Sequence, residues 1–249
     1  MARAYAPRDR AGAVAAVRAA WSDAARVRLE GVHAVKHALR FGADVEVVLT
    51  ADREALARLV TELAPDVAAA VLERTVDVDE GTWRSLAPRE LPSPALGVAA
   101  RPVVDAAEVL ASPGPVVALE QPRHLGNLGA VIRVAAAADA GGVLVIGGAD
   151  PWHPTAVRSA AGLGFALPVA GALSLPRTHR PVLALSGDGE PLPAGGLAAD
   201  TVLLVGTERG GLSAAARGRA TGSVAIPMRE GVASLNLATA VAVALYAGR

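Results

Sequence analysis

The stretch Ser223-Val-Ala-Ile-Pro-Met-Arg-Glu-Gly-Val-Ala-Ser-Leu-Asn-Leu-Ala-Thr-Ala-Val-Ala-Val-Ala-Leu-Tyr246 decides the fold. Residues 224–226 form a short β-type run that ends at Pro227, which has no N–H to give to a sheet. Gly231 permits a turn, and an almost wholly apolar Ala/Val/Leu helix follows. Ser234 and Asn236 stand at its mouth, where such side chains accept from the first unpaired N–H groups of a helix. Capping accounts for one of them. A second polar residue there, behind a Pro-Met-x-x-Gly loop, points to a site as well as a cap.

The same strand–loop–helix unit recurs upstream. Apolar runs at 116–120, 143–146, 182–186 and 202–205 read as strands, and 127–138, 154–162 and 213–219 as helices. Such alternation predicts an α/β domain with a parallel sheet covered on both faces. Ligands in these sheets bind at the carboxyl ends of the strands, so the loops there hold the candidate residues. The first half reads as a smaller α/β unit. The stripe Val14, Val17, Trp21, Ala24, Val27 predicts a helix over 11–28, and a second helix enters through Gly31 and runs to Arg40. Residues 45–49, 75–78 and 96–100 read as strands, with helices over 52–63 and 80–85. Pro and Gly punctuation makes 104–115 a linker between an N-terminal domain, 1–103, and a C-terminal domain, 116–249.

Of the 249 residues 52% are hydrophobic and only 3% aromatic, so the core is built from small side chains rather than being absent. No apolar run reaches the roughly 20 residues of a bilayer span, and the first ten residues lack a secretory apolar segment. The chain has no cysteine, which excludes disulfides, thiolate zinc sites and cysteine nucleophiles and makes the cytoplasm the expected compartment. Basic and acidic residues balance at 24 each, so no global field points to nucleic acid. Residues 1–45 nevertheless hold eight cations against four anions, which either a solvated helix face or an RNA contact explains. Lys36 apart, every basic residue is Arg, the side chain suited to phosphate forks.

Several chemistries lack their motifs. Gly126-x-x-Gly129 is not the dinucleotide fingerprint, and no phosphate-binding P-loop occurs. Ser213 has no G-x-S-x-G elbow, so a hydrolase triad is unsupported. His33 and His37 have zinc-compatible spacing, but no Glu lies between them and no third ligand is evident, so no metal is expected.

Three loops at predicted strand ends, read together, resemble the SpoU/TrmH-type RNA ribose 2′-O-methyltransferases of the knotted SPOUT superfamily. Gly126-Asn-Leu-Gly-Ala-Val-Ile-Arg133 resembles that family's motif 1, Leu204-Val-Gly-Thr-Glu-Arg-Gly-Gly-Leu212 its motif 2, and Ile226-Pro-Met-x-x-Gly-x-x-Ser-Leu-Asn-x-Ala238 its motif 3. Arg158-Ser-Ala-Ala-Gly162 is similar to a segment between motifs 1 and 2. The front half, with Glu30-Gly-Val-His-Ala-Val and Leu96-Gly-Val-Ala-Ala100, resembles more loosely the ribosomal-protein-like (L30e-like) substrate-recruiting domain of many members.

The resemblance implies a trefoil knot, S-adenosyl-L-methionine as methyl donor, an rRNA or tRNA substrate with rRNA favoured, and a homodimer whose active site draws on both subunits. Carried over by position, Asn127, Arg133, Glu208, Ser234 and Asn236 fall on catalytic positions and Gly206, Ile226, Met228 and Leu235 on cofactor-binding ones. Members often have Asp-Pro just before the motif 1 Asn, whereas here Pro122 is followed by Arg-His-Leu-Gly. Glu208 could equally brace its loop, and Gly206 could serve the turn alone. A guanidinium is a poor base, so Arg133 is expected to clamp an RNA phosphate and favour the ribose alkoxide electrostatically. Asn127, Ser234 and Asn236 are expected to orient the ribose. A non-catalytic RNA-binding protein with a degenerate knot is the alternative.

Overall fold

A computed structural model describes residues 9–87, 90–207 and 210–249. In chain order the elements are α1 (Arg10–Ala19), β1 (Arg26–Glu30), α2 (Val32–Arg40), β2 (Val45–Thr50), α3 (Arg53–Leu63), α4 (Ala68–Glu73), β3 (Thr75–Asp77), α5 (Glu80–Leu86) and β4 (Leu96–Ala100). There follow α6 (Ala106–Ala111), β5 (Val116–Glu120), α7 (Leu125–Ala137), β6 (Gly142–Ile146), α8 (Pro154–Ser159), a 3-10 turn (Leu163–Ala166) and β7 (Val169–Ala172). The chain ends with β8 (Val182–Pro191), β9 (Val202–Val205), α9 (Ala214–Arg217), β10 (Gly222–Ala225) and α10 (Leu237–Tyr246). Among the described residues no helix is long and apolar enough to cross a membrane.

The chain forms two compact units. The first comprises residues up to Val103 together with Trp152–Ala166, and the second Val104–Pro151 with Leu167–Arg249.

The first unit has a four-stranded sheet in the order β1-β4-β2-β3. β4 runs antiparallel to both β1 and β2, and β3 parallel to β2. Residues 26–28, expected at the end of the first helix, are instead strand. Arg26-Val-Arg-Leu-Glu30 alternates polar and apolar with period two, and pairing with β4 satisfies its backbone, which outweighs the weaker helical spacing of Trp21, Ala24 and Val27. Part of the local positive charge is consumed inside this unit, whereas Arg10 and Arg18 are exposed and Arg3 and Arg8 lie outside the described residues. Arg26 pairs with Glu46 and Asp23, Arg40 with Asp66, and Arg28 is fully buried.

Arg28 Nε donates to Glu30, its Nη2 reaches the Leu86 carbonyl, and its guanidinium lies 4.2 Å from the centre of the Trp21 ring. Glu30 also accepts from Arg158, so one buried carboxylate joins β1 to the Trp152–Ala166 segment. Removing it strands a buried cation, and such losses cost about 3–5 kcal/mol. Glu30→Ala should therefore lower unfolding free energy by about that amount in urea titrations, far more than Glu54→Ala, whose partner Arg58 is exposed.

The same segment is held at a second point. His37 Nδ1 lies 2.7 Å from the Ala161 carbonyl oxygen, and a Cβ on Gly162 would sit 2.6 Å from the Ala34 carbonyl oxygen. Gly162 also has φ +77°, so it answers both a close approach and a left-handed backbone. Burial, chiefly, pushes the His37 imidazole below its ordinary range, against the opposing effect of the Ala161 bond. The unfolded chain therefore binds a proton more readily than the folded one. The His37 contribution is present above the unfolded value of about 6.5 and lost as pH falls below it. Melting curves between pH 7.5 and 5.5 should show this decline, and His37→Gln should flatten it.

The second unit carries a six-stranded sheet in the order β10-β8-β9-β5-β6-β7, parallel throughout. β5, β6 and β9 are buried along their whole length, as strands covered on both faces must be. Val116, Ala118, Leu144, Ile146, Val202 and Leu204 build the core on one face. The residues read as a linker contain α6. Its start is a capping box in which Asp105 accepts from Glu108 N while Glu108 accepts from Asp105 N, and α6 packs on β6 and β7. The Asp-Ala-Ala-Glu spacing carried this signal beneath the Pro-Gly punctuation.

Candidate functional site

β8 and β9 stay paired from Val182 and Val202 to Ala184 and Leu204 and then part. Against β10 the register of β8 jumps at the same place. Ser223 faces Ala184 but Val224 faces Glu190, so residues 185–189 leave the ladder as a bulge. Gly189 makes the return possible, since a Cβ there would lie 2.6 Å from the Val224 carbonyl carbon.

The gap is a cleft of about 680 Å³, its open mouth included. One wall is the bulge, through Leu185, Ser186 and Gly187. A second is Val205, Gly206, Thr207 and Gly211 after β9. The third is Ile226, Met228, Ala233, Ser234 and Leu235 after β10, with Leu237 and Ala240 of α10 as the floor. Among the described residues no lining side chain is charged. The Ser186 hydroxyl donates to Asp188, which holds that exposed carboxyl below its usual range.

The loop after β9 folds back on itself. Thr207 N donates to Gly211 O at 3.1 Å, Gly211 N to Thr207 O at 3.0 Å, and Gly210 N to Thr207 Oγ1 at 3.0 Å. A Cβ on Gly206 would lie 2.2 Å from the Gly211 carbonyl carbon and 2.4 Å from Leu212 N. Only glycine lets the two limbs touch.

Asn236 is the N-cap of α10, its Oδ1 accepting from Ala238 N at 2.9 Å and Thr239 N at 3.4 Å. That leaves its Nδ2 to donate, and it does so to Asn127 Oδ1 at 3.3 Å. Asn127 sits in the first turn of α7, which packs against α10. Of the two polar residues at the helix mouth, Asn236 is thus the cap and Ser234 faces the cleft.

The structure therefore brings Gly206, Ile226, Met228, Ser234 and Leu235 together around one cleft and sets the Asn127–Asn236 pair beside it in sequence and space. Arg133 is not among them. It lies six residues along α7 from Asn127 and is exposed, and its side chain forms no hydrogen bond or ion pair with the described residues. Glu208 lies outside the described residues. Among those described, no cluster of His, Asp and Glu could hold a metal ion. Ser186, Gly187 and Thr207 were missed in the sequence. Two glycines within Ser186-Gly-Asp-Gly189, just past an apolar run, were the available sign of a bulged strand.

The profile of the SpoU rRNA methylase family matches residues 114–246, more than half of the chain. The chain belongs to the SpoU rRNA methylase family. It is 35% identical over 144 residues to the 23S rRNA (uridine(2479)-2′-O)-methyltransferase of Streptomyces viridochromogenes, covering 52% of this chain and 50% of that one. It is 30% identical over 148 residues to the 23S rRNA (adenosine(1067)-2′-O)-methyltransferase of Streptomyces laurentii, covering 53% of each. The SpoU-family chain thus spans about half the length of the curated relatives it matches. Among solved structures, the SpoU methyltransferase AviRb of Streptomyces viridochromogenes in complex with AdoMet superposes with a TM-score of 0.73 at 25% identity, over 97% of each chain. That match extends through both units of this SpoU-family member.

Proposed function

We propose that this SpoU-family chain is an S-adenosylmethionine-dependent methyltransferase acting on a ribose 2′-hydroxyl of RNA, in rRNA rather than tRNA. The observation that carries the reading is the cleft at the bulge of β8 and the carboxyl ends of β9 and β10, uncharged among the described lining residues, with Asn236 of the Asn–Asn pair between the lining residues Leu235 and Leu237. The cleft suits a phosphate-free nucleoside. Leu185, Val205, Ile226, Met228 and Leu237 offer an apolar seat for a purine, and backbone groups around Gly206 and Met228 offer polar contacts. A dinucleotide would bring two phosphates, for which the described lining residues hold no cation.

S-adenosylmethionine, when bound, supplies a methyl group on a positively charged sulfur. The protein's own residues have the remaining tasks. Gly206, Ile226, Met228 and Leu235 hold the donor, and Ser234, Asn127 and Asn236 orient the ribose so that its O2′ faces the methyl in line. Arg133 grips the neighbouring phosphate and favours the oxyanion electrostatically. Because Arg133 does not line the cleft of its own chain, we assign it to the cleft of a second copy, which makes the working form a homodimer. We read Glu208 as part of the same site.

The finer features of the fold belong to the same proposal. A trefoil knot is supported by the strand order, in which the last strand, β10, lies outside β8 while its following loop and the loop after β9 face one cleft. For the first unit we propose a ribosomal-protein-like domain that recruits RNA, working in the cytoplasm where rRNA resides. The Streptomyces relatives are named for 23S rRNA, which favours rRNA, and for two different nucleotides, so the target base is a matter for mapping.

The test uses purified protein, S-adenosylmethionine with a labelled methyl group, and deproteinised rRNA and tRNA. Label should enter rRNA at one position and survive alkali as a 2′-O-methylated dinucleotide. Binding of RNA with no binding of the labelled donor would instead make this a non-catalytic RNA-binding protein.

A further inference from the structure

Glu120, the last residue of β5, is 8% exposed and has no cationic partner among the described residues. Burying a carboxylate without a cation is costly unless its oxygens are hydrogen-bonded. Both of them bond to one residue. Ser213 N donates to Oε2 at 2.8 Å and Ser213 Oγ donates to Oε1 at 2.6 Å. The same hydroxyl accepts from Ala216 N at 3.1 Å as the N-cap of α9. Ser213 therefore anchors a helix start and a loop end at once.

The position of this pair in the sheet gives it a consequence. Leu119 is the register partner of Val205, after which the loop of residues 206–212 begins, and Ser213 ends that loop on Glu120, the next residue of β5. Both ends of the loop are thus pinned to adjacent residues of one central strand. Between the pins lie Gly206, Thr207 and Gly211, which form a wall of the cleft. Neither Glu120 nor Ser213 lines it.

We infer that Glu120 and Ser213 are positioning residues for the cofactor seat, fixing the wall formed by Gly206, Thr207 and Gly211 in its binding geometry by closing the loop onto β5. The inference rests on the proposed S-adenosylmethionine reading. A loop held at one end only must be ordered by the ligand, and that ordering is subtracted from affinity. A buried charge without a cation is a poor device for stability alone, since apolar replacements are often as stable.

Calorimetric titration with S-adenosylmethionine, well below the melting temperature of each variant, tests this. The parent protein should bind. Glu120→Gln should raise Kd by about tenfold or more, and Ser213→Ala should raise it in the same direction. Ser213→Thr, which keeps the hydroxyl and the N–H, should restore it to within about threefold of the parent. The double variant should be no weaker than the worse single one, because each acts through the other. If the folded variants bind within about twofold of the parent while only their melting temperatures fall, the pair is structural and the inference is overturned. If Glu120→Gln does not fold, Ser213→Ala against Ser213→Thr decides alone. A parent that binds no S-adenosylmethionine overturns the functional reading, and the inference with it.

Discussion

Gly206→Ala should abolish measurable S-adenosylmethionine binding while leaving the chain folded. A methyl group there would stand 2.2 Å from the Gly211 carbonyl carbon, 2.4 Å from its oxygen and 2.4 Å from Leu212 N. All three are backbone atoms of the opposite limb, so no side-chain rotation relieves the overlap. The Thr207–Gly211 hydrogen bonds must open, and the wall they hold moves out of the cleft. Displacing that wall should weaken binding by at least about 100-fold, or roughly 3 kcal/mol. The cost to stability is smaller, about 1–3 kcal/mol for an overpacked site, which lowers the melting temperature by less than about 10 °C in a chain of this size. Gly148→Ala is the control. It lies outside the cleft and a Cβ there meets nothing within 4 Å, so its binding should change little. Calorimetry on both variants, with melting curves alongside, separates the outcomes. Normal affinity in Gly206→Ala would mean that the loop after β9 is not the donor's wall.

How much of this was legible follows from the kind of signal each part leaves. The second unit's strands were readable because strands buried on both faces are apolar almost throughout, as residues 116–119 and Val202–Val205 are. α6 was hidden because Pro and Gly on either side outweigh one capping box in a linear reading. β1 was misassigned because Val14, Val17 and Val27 fit a helical stripe, while the strand's partner, β4, lies seventy residues downstream and leaves no local trace. Long-range pairing decides such segments, and propensity does not.

The site divides in the same way. Turn chemistry is local, so Gly206, Gly231, Ser234 and Asn236 announced themselves. The division of labour between Ser234 and Asn236 did not, because it depends on Asn127, 109 residues away, accepting the amide that capping leaves over. The Trp152–Ala166 segment shows the limit most plainly. By sequence it lies between two strands of the second unit, yet it packs in the first through Glu30, Ala34 and His37. Only the spatial partners reveal that.

Arg133→Ala should lower turnover on RNA by about 10²–10³-fold with S-adenosylmethionine affinity within about twofold of the parent, because Arg133 is not part of its own chain's cleft. Arg133→Lys should recover little of the loss. It restores the charge but not the planar fork that grips a phosphate through two donors. The decisive measurement mixes two inactive proteins. Arg133→Ala keeps an intact cleft, and Gly206→Ala keeps an intact Arg133. If each cleft takes its arginine from the partner, co-expressed dimers of the two contain one complete site in every mixed pair. Random association makes about half of the dimers mixed, so activity should return to about a quarter of the parent's. If Arg133 serves its own chain, every site in the mixture lacks one part and no activity returns. The same result decides whether the exposed position of Arg133 on α7 belongs to catalysis in a dimer or only to the surface of one chain.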